Sequence, residues 1–317
     1  MSAAPRPPAP SPAEAVRRFE LALARRIDGL LHGDHAGRVP GLGTEAGESR
    51  RYAPGDDPRR IDWNVTARTR TPHVRDAVAD RELTTWLVVD LSASVDFGTA
   101  GCTKRDLVVT AAGALAVLAS RHGNRVGALL LTTGGVATLP PRSGHLHLMA
   151  LLHRVLTAPR ADGTGPDLSA ALGRLARPPA RPGLVVVVSD FPAAGTWVPA
   201  LRVVAARHET LAVEVLDPRE LDLVDVGMLV VVDPETGEQR EVATGDAGLR
   251  RRYAALARER RTATAATLRG AGVDHLVLRT DRDATADLVG WLAGRPARVA
   301  RMRRHRAVHP AGAVVGW

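Results

Sequence analysis

Thr85-Trp86-Leu87-Val88-Val89-Asp90-Leu91-Ser92-Ala93-Ser94 is the stretch whose reading decides the fold. Thr85 to Val89 is β-branched or large throughout, with no polar alternation, as a strand buried on both faces requires. Asp90, Ser92 and Ser94 then place a carboxylate and two hydroxyls at alternate positions in the loop that leaves this strand. In an open α/β sheet such a loop faces the crevice beyond the carboxyl ends of the strands, where ligands bind. Its oxygens can converge on one hard cation, because donors at about 2.0–2.1 Å satisfy the octahedral demand of magnesium. The competing reading is a helix cap, in which the same side chains satisfy free backbone amides.

Outward from this stretch the chain alternates regularly. A helix is expected over residues 104–120 and strands over 126–131 and 136–139. Helices at 147–156 and 168–175 follow, then a strand at 184–188, a helix at 198–207 and a strand at 211–216. Residues 228–232 and 240–243, joined by Asp233-Pro234-Glu235-Thr236-Gly237, read as a hairpin. A helix at 249–268, a strand at 275–278 and a short helix at 286–292 close the unit. Strands of near-continuous Val and Leu alternating with helices describe a doubly wound, mostly parallel sheet with helices on both faces, assigned to residues 85–300. Residues 1–12 read as a disordered tail, 13–32 as an amphipathic helix, 33–80 as extended or looped structure dense in Gly, Pro, Arg and Asp, and 301–317 as a basic tail.

Composition narrows the class. With 45% hydrophobic and only 3% aromatic residues, the core must be built from Val, Leu and Ala. A lone cysteine, Cys102, excludes an intramolecular disulfide and fits a reducing, cytoplasmic setting. No membrane span is expected: the longest apolar run, Leu107 to Ala119, is too short to cross roughly 30 Å of hydrocarbon, and Met1 to Pro12 has no signal-peptide core. The net charge of +9 comes almost wholly from arginine, since Lys104 is the only lysine. Charge of that sign attracts anions, so a nucleic-acid-binding regulator acting through Arg250-Arg251-Arg252 and the basic end is the alternative function.

A second carboxylate follows a Val-rich strand at Ser189-Asp190. D-x-S-x-S after one strand and an Asp after a later one resemble the metal-ion-dependent adhesion site of von Willebrand A domains. The resemblance implies Mg2+, or Mn2+ or Ca2+, at Asp90, Ser92, Ser94 and Asp190, with a Thr from a third loop and an open position filled by a client protein's carboxylate. Thr164 is the candidate for that third loop. Counting back from Ala170-Ala171-Leu172, however, Pro166 stands where the family has its Thr, with Asp167 as a compensating donor.

Arg50-Arg51-Tyr52-Ala53-Pro54-Gly55-Asp56-Asp57-Pro58-Arg59-Arg60-Ile61-Asp62-Trp63 is the other distinctive stretch. It resembles the R-x-Y-x-x-G-D-D-x-R-x-I-D-W signature of the family called domain of unknown function 58, which joins this element to a von Willebrand A-like core. The resemblance is strong from about residue 41 to 190 and looser beyond. It is closest to soluble, actinobacterial-type members, and it implies a MoxR-type AAA+ ATPase as partner. On their own chemistry, Arg51, Tyr52, Asp56, Asp57, Arg59, Asp62, Trp63 and Arg68 suit an ion-pair network pinning a loop to the core. The same residue types also suit a partner-binding surface.

No nucleotide-binding, zinc-protease or serine-hydrolase motif occurs; Gly41-Leu42-Gly43-Thr44-Glu45-Ala46 lacks the preceding strand that a dinucleotide fingerprint needs. An aspartyl-phosphate enzyme would want a carboxylate where Ser92 stands, and a metal-activated water would want a general base that is not evident. His145 and His147 read as a solvated loop and helix start, and Lys104 as a solvent-facing residue at a helix start. The expectation is therefore a non-enzymatic, metal-dependent interaction module, an adaptor working with a MoxR-type ATPase in the assembly or maturation of a protein complex.

Overall fold

The computed structural model describes residues 21, 49–53, 58, 61–75, 84–120, 123–160, 163, 165, 167–177, 182–192, 195–234 and 236–294. A two-stranded antiparallel ribbon comes first: β1 (Ser49–Arg51) and β2 (His73–Arg75), with α1 (Trp63–Thr69) between them. The main domain then runs β3 (Thr84–Asp90), α2 (Lys104–Ser120), β4 (Arg125–Thr132), β5 (Gly135–Arg142), α3 (His145–Leu156), α4 (Leu168–Leu175), β6 (Leu184–Ser189), α5 (Val198–Arg207) and β7 (Glu209–Leu216). A separate hairpin of β8 (Met228–Val232) and β9 (Gln239–Ala243) precedes α6 (Ala247–Gly270), β10 (Asp274–Arg279) and α7 (Ala284–Ala293).

Six strands form one sheet in the order β10-β7-β6-β3-β4-β5. All neighbours are parallel except β4 and β5, which meet antiparallel. Strand order turns back between β3 and β6, the topological switch point at which such sheets open a crevice. The alternation of side chains along a strand divides the apolar residues between two layers. Leu87 and Val89 face one core with α2, α3 and α7, while Val88 and Val187 face the other with α4 and α5. α2 is buried along most of its length because Ala111, Ala112, Ala114 and Ala116 let it lie close to its neighbours. β4 bulges between Val126 and Ala128; a Cβ at Gly127 would stand 3.0 Å from the Leu139 carbonyl oxygen, so only glycine admits that approach of β5.

The expected elements of the main domain are found, with ends differing by a few residues. The reading of 33–80 as extended or looped needs correction, because α1 is a helix inside it. Asp62 starts it, its carboxylate accepting from the amides of Asn64 (3.1 Å) and Val65 (3.2 Å). α1 buries none of its seven residues, so it leaves no apolar periodicity to read. The helix expected at 13–32 and the tails 1–12 and 301–317 lie outside the described residues, apart from Leu21, which is helical. Among the described residues, no helix is long and apolar enough to cross a membrane.

Candidate functional site

Asp90 ends β3 and Ser189 ends β6, and the parallel register Val89↔Val188 brings them side by side. The Ser189 hydroxyl donates to Asp90 Oδ2 at 2.7 Å, and the Ser92 amide donates to Oδ1 at 3.0 Å. Asp90 is only 4% exposed. Burial pushes its carboxyl above the ordinary carboxylate range, and the negative charge of Asp190 adds to this, while the Ser92 and Ser189 hydrogen bonds oppose it. A buried carboxylate under repulsion from a second one is an environment that a cation relieves.

Ser92 and Ser94 share a hydrogen bond between their hydroxyls, whose oxygens stand 3.1 Å apart. Neighbouring ligands of an octahedral magnesium, each about 2.0–2.1 Å from the metal, stand about 3 Å from one another. The two hydroxyls therefore match one edge of that octahedron, and the donor set of carboxylate and hydroxyl oxygens suits a hard cation. The capping alternative does not describe these hydroxyls: Ser92 precedes the short 3-10 turn Ala93–Val95 without a side-chain cap bond. The third loop reaches the same place, since a Cβ at Gly165 would lie 3.7 Å from Ser92 Cβ. Thr164 and Pro166 lie outside the described residues. Asp167 instead caps α4, accepting from the Ser169 amide (3.2 Å), the Ser169 hydroxyl (2.9 Å) and the Thr196 hydroxyl. Burial would raise its pKa, but these bonds more than offset that and hold it low.

Lys104 corrects the sequence reading most sharply. Expected in solvent, it is 1% exposed, and its ammonium donates to Asp190 Oδ2 at 2.9 Å and Glu220 Oε1 at 2.6 Å. Burial alone would lower its pKa; the two carboxylates more than offset that, and the group is held above its ordinary value. One cation thus joins the start of α2, the loop after β6 and the turn Pro218–Glu220 after β7. Asp190 gives one oxygen to Lys104, and its Oδ1 accepts no hydrogen bond among the described residues.

Phe191, next in the chain, holds a left-handed backbone with φ 50°. This is costly for a non-glycine residue and is kept only where the surroundings enforce it. Ser189 Oγ accepts from the Phe191 amide at 3.0 Å, and the buried Phe191 ring meets Trp197 edge to face with centroids 5.2 Å apart. Glu220 and Phe191 were not singled out from sequence, and Ser189 and Lys104 were named there without a role in the site. The one available signal was a solitary lysine in a chain that otherwise uses arginine.

The N-terminal signature is described in part. Asp62 caps α1, the Tyr52 amide donates to the Pro72 carbonyl at 2.8 Å, and Arg68 Nε donates to the Asn64 carbonyl at 3.4 Å. Trp63 is 70% exposed, so its ring is not pinned to a core. Arg51 lies in β1; Asp56, Asp57 and Arg59 fall outside the described residues. His145 is exposed at the start of α3, as expected, whereas His147 is half-buried and donates from Nε2 to the Val126 carbonyl at 2.8 Å.

A doubly wound sheet with an antiparallel edge, and D-x-S-x-S with a second aspartate at its switch point, define an α/β domain of the von Willebrand A-like class. The family model described as "Protein of unknown function DUF58" matches residues 48–263, and the chain belongs to that family. "Uncharacterized protein Rv1480" of Mycobacterium tuberculosis is 51% identical over 287 residues, covering 90% of each chain. "Uncharacterized protein MAV169" of Mycobacterium avium is 45% identical over 158 residues, which are 50% of this chain and 93% of that one. Among solved structures, the hypothetical protein BatB from Bacteroides thetaiotaomicron aligns with a TM-score of 0.39 at 13% identity, over 69% of this chain and 99% of its own. A von Willebrand factor type A protein from Catenulispora acidiphila aligns with a TM-score of 0.32 at 14% identity, over 43% of this chain and 33% of its own.

Proposed function

We propose that this chain is a non-enzymatic protein-interaction module that uses a divalent cation at the Asp90 rim, acting as an adaptor for a MoxR-type AAA+ ATPase in assembling or maturing a protein complex. The observation that carries this reading is the pair of hydroxyls of Ser92 and Ser94, 3.1 Å apart beside the buried Asp90 at the switch point. Asp90, Ser92 and Ser94 would hold the cation, with Asp190 near it through the oxygen not given to Lys104. Bound Mg2+, or Mn2+ or Ca2+, would supply an open position for a client's carboxylate. The residues themselves set the geometry: Ser189 and the Ser92 amide fix both Asp90 oxygens, and Lys104 fixes Asp190. We place this activity in the reducing cytoplasm on the strength of the single cysteine.

Co-purification with the ATPase, in magnesium and in chelator, tests metal and partner together. Retention in magnesium only, lost in Asp90→Ala, is the expected outcome; equal retention in both buffers refutes the reading. Asp90 is a better target than Asp190, because removing Asp190 also strips Lys104 of a buried partner.

A further inference from the structure

We infer that the cavity between α6 and the β7-β10 side of the sheet is a binding site for a small organic anion bearing a phosphate or carboxylate group. In an α/β layer the helix face turned to the sheet is normally apolar, because that face leaves water. α6 departs from the rule. It buries only Ala254 and Leu268 among its 24 residues and carries seven arginines against one glutamate. Arg258, Arg261, Thr262 and Ala265, whose spacing places them on one helix face, line a cavity of about 730 Å3.

The sheet side of this cavity is polar too. Glu214 on β7, with His275 and Arg279 on β10, line it; they alternate along the strands with Val213, Val215, Leu276 and Leu278 of the opposite core. The lining also includes Asp222, and its four arginines (Arg219, Arg258, Arg261 and Arg279) outnumber the two carboxylates, Glu214 and Asp222. Glu214, 4% exposed, is met by His275 Nε2 at 2.8 Å and Arg261 Nε at 3.9 Å. Arg279 is held by Asp281 through two bonds of 2.8 Å. Arg219 and Arg258 also line the cavity, and neither guanidinium has a side-chain partner among the described residues. Guanidinium groups pair bidentately with phosphate and carboxylate. The volume lies in the range that accommodates a small organic molecule, and Pro218 and Leu221 offer apolar surface to its body.

Calorimetric titration of the full chain with ADP, inorganic pyrophosphate and citrate, in magnesium-free buffer, tests the inference. ADP or pyrophosphate binding marks a phosphate ligand, and citrate binding a carboxylate one. Saturable one-to-one binding of at least one is expected, weakened about tenfold or more by Arg219→Ala and by Arg258→Ala. Arg202→Ala, at an exposed position on α5, should leave it unchanged. The inference is overturned if none of the three binds, if the two cavity variants bind as tightly as the parent, or if Arg202→Ala weakens binding equally.

Discussion

At Lys104 a single ammonium separates two readings of the molecule. A solvent-facing lysine can be replaced at almost no cost, whereas Lys104→Met would leave Asp190 and Glu220 without their shared cation. Breaking one side of a buried ion pair costs about 3–5 kcal/mol; the partial exposure of Glu220, 33% for its side chain, puts the expectation at the lower end. Urea denaturation of the variant measures it, and a change within about 0.5 kcal/mol, typical of surface substitutions, would return Lys104 to the surface. Asp217 provides a second residue-scale test. It is wholly buried and accepts from the Thr99 amide (2.8 Å), the Thr99 hydroxyl (2.6 Å), the Thr280 hydroxyl (2.7 Å) and the Arg219 amide (2.8 Å). Burial works to raise its pKa, but these bonds prevail and hold it low. A carboxylate with a depressed folded pKa stabilises above its unfolded value, near 3.9, and loses that contribution as pH falls through the folded value. Asp217→Asn should therefore cost about 2 kcal/mol at neutral pH, with the gap from the parent narrowing below about pH 4. A gap unchanged across that window in pH-dependent denaturation would contradict the account.

Among the elements, burial made one strand legible and its absence hid one short helix. β6 was readable because all six of its residues are buried, so its Val run survives without interruption. α1 was not, since a helix that buries nothing has no stripe. With little packing to hold it, α1 depends on its Asp62 cap, and Asp62→Ala should destabilise it by about 1 kcal/mol. Hydrogen exchange of the Asn64 and Val65 amides, which Asp62 holds, should speed up in that variant while β6 amides stay protected. α6 was read correctly as a helix, yet its arginines gave no hint of which ones turn toward the sheet. Periodicity finds an apolar face, and α6 turns a polar one inward.

For the whole molecule, a cation bound only by the folded state must raise stability by mass action, about 2.7 kcal/mol at a concentration one hundred times its Kd. Thermal melts of the parent in magnesium should therefore exceed those in chelator, with the difference abolished by Asp90→Ala; identical melts at saturating magnesium would remove the metal from the proposal. The alternation of strands and helices, the doubly wound class, the family signature and the D-x-S-x-S loop were all settled by the sequence, because each is carried by residues close together in the chain. The tertiary structure decided which groups meet. Lys104 reaches Asp190 across 86 positions and Glu220 across 116, and Glu214 reaches His275 across 61. Whether a charged side chain ends in water or against another charge depends on how strands far apart in the chain come to lie side by side, and local pattern holds no record of that.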